Sequence, residues 1–149
     1  MTPRRTRSRK RSAASSTARL LEDTVYYLDE SIYSRVLLEA MRAAGATVEH
    51  VRGAVRAGAS DEEWLAFVGE HRWVAIMRDQ RIRWRRLERE ALKLSGVGAF
   101  VFTGGQATAR DTAETIVLKL PKLAAIASSE PRPFLYAISR GGTLSKIAL

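Results

Sequence analysis

Val25-Tyr26-Tyr27-Leu28-Asp29-Glu30-Ser31 opens as a short β-type run of apolar and aromatic residues and ends on two acids. Behind it Ile32, Val36, Leu37, Ala40, Met41 and Ala44 recur at helical spacing until Gly45 stops them. The segment therefore reads as a strand leading into a helix, with Asp29 and Glu30 at the strand's carboxyl end. Open parallel sheets bind ligands at that edge, so the position of these acids carries more information than their number.

The same alternation continues along the chain. Thr47 to Val51 reads as a second strand, Arg52 to Ala59 as a glycine-containing loop, and Trp64, Leu65, Phe67, Val68 and His71 as one face of a helix. Trp73 to Met77 is a third strand, and Leu87, Ala91 and Leu94 mark a helix ending near Gly96. Ala99 to Phe102 makes a fourth strand. Ala113, Ile116, Val117, Leu120 and Leu123 lie on a last helix, capped by Thr108, that Pro121 is expected to kink or divide. Phe134 to Ile138 completes the pattern as a fifth strand. Strands alternating with helices predict an α/β fold, a three-layer α/β/α sandwich around a mostly parallel five-stranded sheet.

Composition sets the boundaries. The 149 residues, 46% of them hydrophobic, suffice for one domain with a core. There is no cysteine, which excludes a disulfide scaffold, a thiolate zinc site and cysteine catalysis, and makes a reducing cytoplasm the expected location. No apolar stretch approaches the roughly 18 to 20 residues that span a bilayer. Seven of the nine net positive charges lie within residues 1–20, as Arg4, Arg5, Arg7, Arg9, Lys10, Arg11 and Arg19 without an acid. Residues 1–24 thus read as a disordered basic tail, residues 25–140 as the folded domain and residues 141–149 as a C-terminal tail. Such a basic arm suits nucleic-acid phosphates through salt-sensitive contacts; a solvated tail fits equally, and an organelle transit peptide fits the composition but lacks an apolar face.

Two further acidic positions join Asp29. Asp61 opens the helix that leads into the third strand, within Ser60-Asp61-Glu62-Glu63-Trp64, and Asp79 follows that strand. Three carboxylates sharing one cleft repel each other unless a divalent cation neutralises them, and oxygen ligands point to magnesium or manganese. Two such ions about 4 Å apart activate water and stabilise the leaving oxygen of a phosphodiester. Plainer explanations stand beside this one. Ser60 and Glu63 form an S-x-x-E capping box, Asp61 and Glu62 suit the positive end of a helix, and Asp29 and Asp79 suit turns after strands.

In combination, Tyr27-Leu28-Asp29-Glu30-Ser31, the helix ending in Ala44-Gly45, Gly58-Ala59-Ser60-Asp61-Glu62-Glu63-Trp64, Val74-Ala75-Ile76-Met77-Arg78-Asp79-Gln80-Arg81-Ile82-Arg83 and Phe102-Thr103-Gly104-Gly105 resemble the PIN-like domains of VapC-type toxins and their relatives. The likeness runs from about Val25 to Ile138. It implies a Mg²⁺- or Mn²⁺-dependent ribonuclease, commonly the toxin of a type II toxin-antitoxin pair, with a cognate antitoxin protein as partner and a homodimer as a further option. Asp29, Asp61 and Asp79 match the acidic catalytic and metal-binding positions best, with Glu30 and Glu63 as additional metal ligands. One departure is that relatives often carry a threonine two residues before the last aspartate, where this chain has Met77.

Beside the expected site, Arg78, Arg81, Arg83 and Arg85 surround Trp84, offering forked phosphate contacts and a stacking surface for an unpaired base of single-stranded RNA. An ordinary solvated helix face explains the same stretch. His50 and His71 read as structural. Gly104-Gly105 fits either a phosphate approach or a plain turn. Two other classes remain open: a receiver-like phospho-acceptor domain using Asp29, Glu30, Asp79 and Thr103, which lacks the expected lysine after the fifth strand, and a catalytically inactive PIN-like RNA-binding module.

Overall fold

In a computed structural model, residues 18–50, 59–78 and 86–149 are described, and all that follows concerns them. The elements run β1 (Val25–Leu28), α1 (Arg35–Ala43), β2 (Thr47–His50), α2 (Asp61–Glu70), β3 (Val74–Arg78), α3 (Arg86–Ser95), β4 (Gly98–Phe102), α4 (Ala109–Ser129), β5 (Phe134–Ile138) and β6 (Leu144–Ile147). One six-stranded sheet has the order β2-β1-β3-β4-β5-β6, in which the first five strands are parallel and β6 is antiparallel to β5.

Register sorts the side chains into two cores. Tyr27, Ala75, Ala99 and Leu135 lie in one row across β1, β3, β4 and β5, and pack with Trp64, Leu65 and Val68 of α2 and Leu92 of α3. The alternate residues Tyr26, Leu28, Val74, Ile76, Phe100 and Phe134 face Leu37 and Met41 of α1 and Ile116, Leu120 and Leu123 of α4. Successive strand residues point to opposite faces, so two helices cover each face and the predicted three layers form. β4 is buried at all five positions because it has a strand on either side and helices above and below.

Each well-defined helix start has a side-chain cap. Ser34 accepts from Leu37 N–H at 3.0 Å, Ser60 from Glu63 N–H at 3.2 Å and Thr108 from Asp111 N–H at 3.1 Å, supplying partners for amides that the first turn leaves open. Gly45, at φ +96°, ends α1 in the left-handed region where a side chain would be strained.

Four expectations need correction. The C-terminal segment is not a tail: Leu144–Ile147 pairs with Leu135–Ile138 as a sixth strand, through a turn in which Ser139 Oγ accepts from Thr143 N–H at 3.0 Å. The N-terminal boundary also moves. Residues 18–23 are helical, Leu21 packs on the core, and Thr47 Oγ1 donates to Glu22 C=O at 3.0 Å, so ordered chain precedes Val25. Pro121 does not divide α4, which runs unbroken to Ser129 with Leu120, Leu123 and Ala124 buried on either side of the proline. Leu94 is 88% exposed, and Leu92 takes the core position on α3 in its place.

Candidate functional site

Between β1 and β3 the strand order reverses direction from the chain's point of view, and the crevice at their carboxyl ends is the place where such sheets bind ligands. Asp29 is the first residue past β1. Its backbone N–H donates to Ile76 C=O of β3 at 3.0 Å, and its own C=O accepts from Ile32 and Tyr33 N–H at 3.0 and 2.9 Å. The backbone is thereby bound on both sides before the side chain is considered.

The carboxylate is equally constrained. Asp29 Oδ2 accepts from Ser31 N–H at 3.1 Å and from Ser31 Oγ–H at 2.5 Å, a local turn that aspartate favours. Ser31 Oγ in turn accepts from Arg78 N–H at 3.0 Å, 47 residues away in sequence. A continuous hydrogen-bond chain thus runs from the Asp29 carboxylate to the last residue of β3, immediately before Asp79. Asp79 itself lies outside the described residues, as do Arg81, Arg83, Trp84 and Arg85. Glu30, next to Asp29, is exposed.

Asp61 belongs to the α2 layer. It is the first residue of α2, exposed, and its Oδ1 accepts from Trp64 Nε1–H at 2.9 Å. The Trp64 ring stacks on Tyr27, two residues before Asp29, with centroids 5.5 Å apart. The α2 N-terminus therefore lies over the end of β1. Burial, with the charges of Asp29 and Glu30 adding to it, pushes the Tyr27 hydroxyl well above the ordinary tyrosine range. Glu63 is exposed, and its amide completes the Ser60 cap, so the helix-start reading of this segment holds for the backbone.

Arg78 has a different place from the one expected. Its Nη1 donates to Gly105 C=O at 3.2 Å, its Nη2 to Thr112 Oγ1 at 2.8 Å, and its guanidinium carbon lies 5.3 Å from the centre of the Phe102 ring. The fork is engaged within the fold, tying the end of β3 to the start of α4 across β4. Gly104-Gly105 belongs to that tie: a Cβ on Gly104 would lie 2.4 Å from the Phe102 ring. Arg140, which follows β5, pairs with Asp111 in the first turn of α4 at 3.2 Å.

The two histidines differ. His71 Nδ1 bonds to Phe67 C=O at 2.8 Å and its ring stacks on Phe67 at 4.1 Å, at the opposite edge of the sheet from Asp29. His50 ends β2 opposite Leu28 and stacks on Tyr33 at 4.8 Å.

The donor chemistry at the Asp29 edge suits a hard cation. Among the described residues one oxygen each of Asp29 and Asp61 is hydrogen-bonded and the other is open, and both are carboxylate oxygens of the kind magnesium and manganese prefer. Among the same residues no three acidic or histidine side chains gather closely enough to hold an ion. Spacing alone could not reveal Ser31 and Trp64 as parts of this edge. Ser31 was visible only as the polar residue two after the aspartate, and Trp64 only as a core aromatic.

The mostly parallel α/β sheet defines the class of fold, and comparison with known families gives its family: the PIN-like domain model matches residues 24–104, from the entry to β1 to just beyond β4. The chain belongs to the PIN-like domain family, whose members are commonly nucleases. No curated protein and no solved structure matches the chain. Among the described residues no helix is long and apolar enough to cross a membrane.

Proposed function

We propose that this protein is a metal-dependent endoribonuclease of the VapC type, the toxin of a toxin-antitoxin pair, acting on single-stranded RNA. The observation that carries the reading is the chain Asp29 carboxylate, Ser31 hydroxyl, Arg78 amide, which binds the end of β1 to the residue before Asp79 at the switch point of a PIN-like fold. Asp29, Asp61 and Asp79 would hold Mg²⁺ or Mn²⁺, with Glu30 and Glu63 as additional ligands. The bound cation supplies a water of lowered pKa and charge stabilisation for the leaving oxygen. The chain's own contribution is placement. Ser31 holds the Asp29 carboxylate in one orientation, the Asp29 amide fixes β1 against β3, and Arg78 braces the adjoining loop before α4. Arg81, Arg83 and Arg85 supply phosphate contacts and Trp84 a stacking surface.

The receiver-like alternative has less support. Ser139 and Arg140 occupy the place of its lysine, the Ser139 amide is engaged in the turn to β6, and the Arg140 guanidinium is paired with Asp111.

The deciding experiment incubates the full chain with a panel of single-stranded RNAs in Mg²⁺ or Mn²⁺, with and without chelator, alongside Asp29→Asn. Cleavage that stops on chelation and falls in the variant supports the reading. RNA binding without cleavage under any divalent ion identifies an inactive RNA-binding module instead.

A further inference from the structure

The amino end of β3 carries an aromatic and cationic surface that the nuclease reading does not use. Phe67, His71 and Trp73 pack ring against ring, with centroids 4.1 Å apart for Phe67–His71, 5.3 Å for Phe67–Trp73 and 4.9 Å for His71–Trp73. His71 is exposed and the other two residues are half-buried, so the cluster meets solvent. Arg72, between His71 and Trp73, is exposed and stands at φ +57°, in the left-handed region where a side chain is strained and glycine is not. Its N–H donates to Gly69 C=O at 3.1 Å and the Trp73 N–H to Val68 C=O at 3.0 Å, a closure of α2 in which glycine is the usual residue. The Arg132 guanidinium anchors this turn: Nη1 donates to Arg72 C=O at 2.7 Å and to Trp73 C=O at 3.3 Å, and Nη2 to Ala127 C=O at 3.4 Å. Two cations therefore stand together, and burial first and the charge of Arg72 second lower the Arg132 pKa. Neither arginine pairs with an acid among the described residues.

An arginine kept on strained backbone, a second arginine without a counter-ion and a partly exposed aromatic cluster suit a ligand that combines an anion with a flat apolar part. An unpaired nucleotide has both, since its phosphate meets a guanidinium and its base stacks on a ring whatever the sequence. A duplex hides its base faces, and an acidic peptide offers charge with nothing to stack. We propose that the Phe67–His71–Trp73 cluster with Arg72 is a second binding surface for single-stranded RNA, at the edge of the sheet opposite Asp29, with Arg72 on a phosphate and Trp73 beneath a base. Arg132 positions the turn and adds charge. The five residues of β3 separate this surface from the Asp29 edge, about 16 Å at the rise of a strand, so the two are distinct. β1 enters the sheet at this same end, since Tyr26 lies level with Val74, and the six basic side chains of residues 1–17 precede it in sequence. The surface goes beyond the proposed function and is read in binding rather than in cleavage.

The test measures fluorescence anisotropy of a labelled oligouridylate of ~10 nucleotides on the full chain in EDTA, with a blunt RNA duplex of the same length and a poly-glutamate peptide as comparison ligands. Arg72→Gly removes the charge and relieves the left-handed backbone, so an arginine that only closes α2 predicts a more stable protein with unchanged affinity. We expect the melting temperature to hold or rise while the Kd for the single strand rises ~5-fold and the slope of log Kd against log salt falls by about 0.7. Trp73→Leu removes the stacking ring, with His71→Ala at an exposed position as a replacement should the first not fold, and either is expected to weaken binding by ~10-fold. Lys122→Ala, at an exposed position of α4, removes the same charge elsewhere and should leave the Kd within about twofold. Unchanged affinity in Arg72→Gly, an equal loss in Lys122→Ala, or a duplex bound as tightly as the single strand overturns the proposal. Poly-glutamate that binds more tightly than RNA, and loses affinity in the same variants, assigns the surface to an acidic protein partner instead. Cleavage that fails with every divalent ion, while this binding and its losses persist, overturns the nuclease reading alone.

Discussion

Asp29 and Ser31 are best understood as a pair, since one supplies charge and the other fixes its direction. Replacing Asp29 by asparagine keeps an oxygen for Ser31 to bond while removing the charge, so cleavage should fall by about 100-fold or more with the melting temperature little changed. Replacing Ser31 by alanine leaves the charge and releases the orientation, so Mn²⁺ affinity should fall by ~10-fold. A titration of both variants separates the two roles. Tyr26 makes a contrasting case on the opposite face. Its hydroxyl is fully buried without a partner among the described residues, and burial raises it well above the usual tyrosine range. A tyrosine raised in the folded state contributes stability that is intact below about pH 10 and declines as the unfolded chain begins to ionise above it. Tyr26→Phe should therefore gain about 1 kcal/mol at neutral pH and show a shallower loss above pH 10 in denaturant titrations. The place of Asp29 was legible at this scale, because an aspartate directly after a β-type run is visible in one dimension. Ser31 and Trp64 were not, because their roles depend on partners that folding brings together and on which face of α2 meets β1.

Among the elements, α2 and α3 meet more closely than their composition suggests. Gly69 lies where a Cβ would come within 2.2 Å of the Ser95 carbonyl oxygen, which is backbone and cannot swing aside. Alanine is the better helix former by roughly 1 kcal/mol, yet Gly69→Ala should destabilise the domain by about 1–3 kcal/mol, as chemical denaturation would show. The alternation of strand and helix was readable from periodicity between β1 and β5, including the caps at Ser60 and Thr108. Which side of α3 faces inward was not. Leu92 and Leu94 are equally apolar, and only the placement of α3 against α2 selects Leu92. The sixth strand escaped notice for a related reason. Leu144–Ile147 is half exposed at an edge, so its pattern is weak, and β5 supplies the pairing that makes it a strand.

For the whole molecule, charge and fold are separable. Residues 1–17 carry six of the basic side chains and lie outside the described residues, whereas Leu21 and Glu22 are bound to the domain. Removing residues 1–17 should leave the melting temperature within a few degrees and weaken RNA binding, with a shallower dependence of log Kd on log salt. An unaltered salt slope would show that these charges do not meet phosphate. Removing residues 1–24 should also cost stability, through Leu21 and the Thr47 contact. The overall α/β class followed from alternation; the family match covers β1 to β4, and β5 and β6 complete the sheet beyond it.

The amide of Arg78 gives this edge an unusual kinetic signature. Most strand amides exchange their hydrogen with solvent only when backbone partners separate, but this one is shielded by the side-chain hydroxyl of Ser31. A rotation about one Cα–Cβ bond is enough to uncover it. Deuterium should therefore enter at Arg78 through local opening while the Asp29 amide, bonded to Ile76 C=O, stays protected, so the last peptide of β3 can breathe without parting β1 from β3. The carboxyl end of β3 at Arg78 should thus exchange on a time scale much shorter than that of unfolding.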